Sequence, residues 1–152
     1  MTIILDMGGV LMQHNMPECI RRFCEMLGEE GMANTLGMKV NAEGLPDSLM
    51  EKFECGLVTT EEFVHTILAN AKEGTTEQQI IDAWNTMHAG IPLERIKQIK
   101  RWKKLGHHLL LLSNNNALHW EDIHAHYDMS IFDQCFASHL VHSHKPNKPI
   151  YE

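Results

Sequence analysis

The chain has 152 residues, 43% hydrophobic and 22% charged, which excludes a disordered or fibrous protein and allows one real core. A net charge of -7 argues against a nucleic-acid backbone as the main partner. No stretch reaches the roughly 18 apolar residues that span a bilayer, and Met1 to Asp6 lack the basic start of a signal peptide.

Thr2-Ile3-Ile4-Leu5 is a continuous apolar run, which predicts a strand covered on both faces. Pro17 suits a first helical turn, and Ile20, Phe23, Cys24 and Leu27 then recur at helical spacing before Gly28. Leu49 and Phe53 predict a short helix ending at Gly56. Thr59 with Glu62, and Thr75 with Gln78, read as capping boxes opening two more helices. The second carries Ile80, Trp84 and Met87. Pro92 opens a helix with Ile96 and Ile99 that Gly106 closes, and its Lys97 to Lys104 stretch reads as a solvated face. Leu109 to Leu112 follow a polar break and end at Ser113-Asn114, so a second strand is expected, and Cys135-Phe136-Ala137 is a third.

Strands separated by helices imply a parallel sheet with right-handed crossovers. A crossover needs only about 10–12 residues, whereas about 100 lie between the first two strands; the surplus reads as an inserted helical cap. The expected fold is an α/β, Rossmann-like three-layer core made of residues 1–14 and 91–152, with residues 15–90 as the cap. Cys19, Cys24, Cys55 and Cys135 form no CxxC pair, so reduced thiols in a cytoplasmic protein are expected, with no membrane or nucleic-acid partner.

Open parallel sheets bind ligands beyond the carboxyl ends of their strands. Asp6, Ser113-Asn114 and Lys145 all fall on that rim, and a carboxylate, a hydroxyl-amide pair and an ammonium together suit a phosphoryl group. Gly8-Gly9, directly after Asp6, would let main chain approach a ligand closely.

These residues carry a resemblance. Asp6-Met7-Gly8-Gly9-Val10-Leu11 resembles the first motif of the haloacid dehalogenase superfamily in its DxGGV form, Leu112-Ser113-Asn114 the second, and Lys145-Pro146-Asn147 with Ile150-Tyr151 the third. The match is most similar to the group of sugar-phosphate phosphatases and epoxide-hydrolase phosphatase domains. The resemblance implies that Asp6 attacks phosphorus and forms an aspartyl-phosphate, that Ser113 and Asn114 hold phosphate oxygens, and that Lys145 neutralises the gathered negative charge. It implies Mg²⁺ held by the Asp6 carboxylate and the Gly8 carbonyl, and a small phosphorylated substrate.

Two departures qualify this. Phosphatases of the superfamily carry a second Asp two residues after the nucleophile to protonate the leaving group, and here Gly8 stands there. His14 is a substitute acid by proximity, and a hinge residue before the cap by position. The chain also ends at Glu152, before the strand of the fourth motif, so the expectation is a core without its last strand or strands and a sheet edge open to self-association. A phosphate-binding module without turnover and a haloacid dehalogenase are the alternatives. The remaining histidines show no ligand spacing: His124 and His126 point apart on a helix, His142 and His144 lack further ligands, and His107, His108 and His119 read as surface or edge residues.

Overall fold

A computed structural model describes residues 1–37 and 48–152; the part of the expected cap at 38–47 lies outside them. Three strands, β1 (Thr2–Leu5), β2 (His108–Ser113) and β3 (Gln134–Ala137), form one parallel sheet in the order β1-β2-β3. Ile3 pairs with Leu109, and Leu111 with Cys135. The fold is therefore α/β with a parallel sheet, as the chain's alternation of apolar strands and amphipathic helices implies.

Between β1 and β2 run α1 (Met16–Leu36), α2 (Leu49–Glu54), α3 (Thr60–Leu68), α4 (Glu77–Asn85) and α5 (Leu93–Lys104). Asn15 caps α1 through its side chain, with Pro17 in the first turn. At Gly28 the helix breaks, with φ +75°, and then resumes to Leu36. Cys19, not Ile20, shares the buried face with Phe23, because the helix turns its packed side one residue from the expected stripe. The box at Thr59 and Glu62 forms as expected. The second lies one residue later, at Thr76 and Gln79: paired Thr and Gln residues offered two registers, and Gln78 instead donates to Asp82.

Beyond β2, α6 (Ala117–His126) follows the Asn116 cap, and α7 (Ser138–Val141) follows β3. Apolar side chains gather in two clusters. One joins Phe23, Phe53, Phe63, Ile80 and Trp84 of the first four helices, and the other joins Met7, Leu11, Ile99, Leu109, Leu111 and Ile123 around the sheet. Between them the chain crosses twice, and the two crossings pair: Gln13 and Asn15 donate to the carbonyls of Gly90 and Met87, and Ala89 donates to that of Gln13.

Strand β1 is not covered on both faces. Ile3 and Leu5 pack inward, but Ile4 is 61% exposed and Phe136 on β3 is 37% exposed. With Leu110 and Leu112 they line an open groove of about 300 Å³ beside Ile150 and Tyr151. The physical reason is that α5 and α6 contribute to the cluster on the other face, so alternate apolar residues of this run meet solvent. Among the described residues, no helix is long and apolar enough to cross a membrane.

Candidate active site

The carboxyl ends of β1 and β2 deliver Asp6, Gly8, Ser113 and Asn114 to one cavity of about 250 Å³, and the loop after α7 brings Lys145 to the same place. Lys145 Nζ lies 2.7 Å from Asp6 Oδ2 and also donates to the Leu112 carbonyl at 3.0 Å. The other Asp6 oxygen accepts from the Met7 N–H at 2.7 Å. Both carboxylate oxygens are therefore oriented, and the ammonium offsets charge that an incoming dianion would otherwise meet. At about 4 Å and an effective dielectric near 20, one such charge contact is worth about 4 kcal/mol.

Asn114 is engaged differently from Ser113. Its carboxamide oxygen accepts from the Lys145 N–H at 2.6 Å and its nitrogen donates to the Lys145 carbonyl at 3.1 Å. The side chain clamps the lysine main chain, which fixes where the ammonium stands. Ser113 is buried at the strand end, with its hydroxyl on the Asn114 carbonyl at 3.1 Å.

The His14 ring stands close over Gly8. A Cβ there would lie 2.7 Å from His14 Nε2. The imidazole thus fills the space in which a side chain at position 8 would begin. His14 also forms an antiparallel bridge with His88, on the paired crossings between the two apolar clusters.

The cavity floor is a buried polar network. Asn116 Oδ1 accepts from Trp84 Nε1 at 3.1 Å and from the His119 N–H at 3.0 Å, and its nitrogen lies 3.1 Å from His119 Nδ1. His119 Nε2 meets the Trp84 carbonyl at 3.0 Å. These partners assign the tautomer: Nε2 carries the proton and Nδ1 accepts. His119 stacks on Trp84 and is only 4% exposed, so the expectation of a surface or edge residue is corrected. Burial, reinforced by neighbouring His88 and His14, drives its pKa down to about 3 and keeps the ring neutral. Burial also lowers the pKa of His88, whose ring centroid is 4.0 Å from that of His119.

Glu54 reaches the same cavity from the last turn of α2. Burial, with Glu51 beside it on the helix, pushes its carboxyl from the usual range up to about 7. Sequence reasoning missed Glu54, Asn116, His88 and the burial of His119. The cap position of Asn116 before Ala117 was a readable signal; Glu54 had none, because its approach depends on how α2 packs. His124 and His126 bond to their own helix carbonyls, and no cluster suited to a metal occurs among the described residues. A cleft of about 220 Å³ between α1 and α4 is less suited to an anion, since its Arg21 and Arg22 are already paired with Glu18 and Glu25.

No family model and no curated protein matches the chain. Solved structures do. A predicted HAD-like family hydrolase from Porphyromonas gingivalis superposes with TM-score 0.80 at 27% identity, covering 99% of this chain and 72% of that one. A HAD family enzyme from Bacteroides thetaiotaomicron, as its magnesium complex, gives TM-score 0.82 at 24% identity, covering 99% and 73%. The same enzyme with magnesium and inorganic phosphate gives 0.76 at 24% identity, covering 95% and 71%.

Proposed function

From the premise that this chain has the fold of the haloacid dehalogenase superfamily, we propose that it is a phosphatase of a small phosphorylated metabolite, with Asp6 as the nucleophile. The observation that carries the reading is the 2.7 Å pair of Asp6 and Lys145 in a small cavity that Ser113 also lines. An Asp6 oxygen attacks phosphorus in line, the bond to the ester oxygen breaks, and water then hydrolyses the aspartyl-phosphate. Lys145 holds the attacking carboxylate and a phosphoryl oxygen, and Ser113 with the main chain at Asn114 orients the other oxygens.

Mg²⁺ suits this donor set. The Asp6 carboxylate and the Gly8 carbonyl are hard oxygen ligands, and a single carboxylate accords with an ion that keeps waters and leans on substrate phosphate. The magnesium and phosphate complexes of the Bacteroides enzyme support the same choice. When bound, the ion supplies charge neutralisation on the phosphoryl group. Residues 1–14 and 91–152 then serve as core and 15–90 as cap; the two apolar clusters and the paired crossings at 13–15 and 87–90 support that division.

Asp6→Asn is the test. Phosphate release from a panel of small monoesters with Mg²⁺ should fall at least about 10³-fold, and full turnover by the variant would sink the mechanism. A second reading, phosphate binding without turnover, is favoured by Gly8, which offers no acid for the leaving group. Calorimetric binding of inorganic phosphate by a chain that releases none from any monoester would favour it.

A further inference from the structure

Resting on the phosphatase reading, we infer that Glu54 is the catalytic acid and base, doing from the helical layer what position 8 does not. Gly8 has no side chain, and His14 occupies the space where one would start. A leaving alkoxide still needs a proton. Glu54 lines the cavity that holds Asp6 and Lys145, yet it belongs to a different layer of the fold.

The end of α2 is tied to the sheet layer by three adjacent contacts. Ser138 Oγ, at the start of α7, lies within hydrogen-bond distance of the Glu54 carbonyl. His142 Nδ1 meets the Cys55 carbonyl at 3.1 Å. Gly56, with φ +64°, passes so close to α7 that a Cβ would lie 2.3 Å from the His139 carbonyl oxygen. Glu54 is thus held against the site by the same segment that leads to Lys145. Its carboxyl is also poised for proton transfer: burial and Glu51 raise it to about 7, where it both gives and takes a proton near neutral pH. As the last residue of α2, Glu54 sits at the negative end of a helix, which further favours the protonated form.

The proton balance closes. As Asp6 bonds to phosphorus and the ester P–O bond breaks, the Glu54 proton passes to the leaving oxygen, which departs as alcohol. The Glu54 carboxylate then takes a proton from the water that attacks the aspartyl-phosphate. Phosphate and the free Asp6 carboxylate are released, with Glu54 reprotonated.

The experiment compares Glu54→Gln, Glu54→Asp and His14→Asn with the wild type on an alkyl phosphate and on p-nitrophenyl phosphate, whose leaving group needs little protonation. Glu54→Gln should lose about 10²–10⁴-fold on the alkyl ester. On p-nitrophenyl phosphate it should give a stoichiometric burst of nitrophenol followed by slow turnover, because the attacking water has lost its base. Glu54→Asp, which keeps a carboxyl, should recover part of the alkyl-ester rate. Undiminished alkyl-ester turnover by Glu54→Gln, an equal loss on both esters without a burst, or the split in His14→Asn instead would overturn the assignment. No Asp6-dependent release by the wild type would overturn the phosphatase reading itself.

Discussion

Glu54→Gln makes a prediction about stability that is independent of turnover. The Glu54 carboxyl titrates near about 7 in the folded chain, against 4.5 for an unhindered Glu. Because the folded value is raised, the neutral group's contribution is fully present below about pH 4.5 and is lost as pH rises through about 7. Above that, the folded state holds a poorly solvated charge at a cost of about 3 kcal/mol, from about 1.4 kcal/mol per unit. Gln carries no charge at any pH, so the stability of Glu54→Gln relative to wild type should climb by about 2 kcal/mol between about pH 5.5 and about pH 8. Groups facing Glu54 also enter: Glu51 on its own helix, Asp6, Lys145, His14, His88 and His119 around the cavity, and His139 and His142 on and beside α7. Burial lowers the pKa of His88, His119 and His139, so these stay neutral over the upper part of the window and leave the sign unchanged. The assay is urea unfolding of both proteins across this range without Mg²⁺ or phosphate. A difference that stays flat with pH would refute the raised carboxyl. Gain of stability with loss of alkyl-ester turnover would mark Glu54 as a strained group retained for chemistry.

Trp84, only 2% exposed, packs against Phe63 at 4.9 Å and His119 at 5.1 Å while donating to Asn116. Trp84→Ala should cost about 3–5 kcal/mol in urea unfolding, and a loss under about 1 kcal/mol would deny this cluster its structural role. Gly8→Ala should destabilise by no more than about 1 kcal/mol, because the exposed His14 ring that its methyl meets can swing aside. In a His14→Ala background most of that loss should vanish; a double-mutant cycle with no coupling would mean the ring does not hold that space.

The strand runs, the cap at Thr59 and the strand-end residues Asp6 and Ser113 were legible because each depends on local chemistry. A strand ends where apolar residues give way to polar ones, and a box at Thr59 and Glu62 needs only its own turn. Where two local solutions were nearly equal, as at Thr75 and Thr76, the pattern could not choose, and packing of Ile80, Ala83 and Trp84 set the register. The same limit explains β1. An apolar run states that burial is favourable, not that a covering layer exists, and Ile4 lies on the open face.

The cavity floor and Glu54 were illegible for a different reason. His119 is one of eleven histidines, and only its stack on Trp84 and its bonds to Asn116 separate it from His124, five residues on and exposed. Its neutrality comes from burial that no short motif encodes. Glu54 follows the buried Phe53, so helical phase alone turns it away from the helical cluster. That same phase, once α2 is tied down through Ser138, His142 and Gly56, turns it toward Asp6's cavity. A residue that helical phase turns away from the helical cluster is therefore cavity-facing in the assembled fold. On the proposed mechanism, the absent carboxyl at position 8 and the buried Glu54 carboxyl in the same cavity are one arrangement: Gly8 leaves room for His14, and acid-base chemistry would pass to a side chain held at the site by the contacts of α2 with α7.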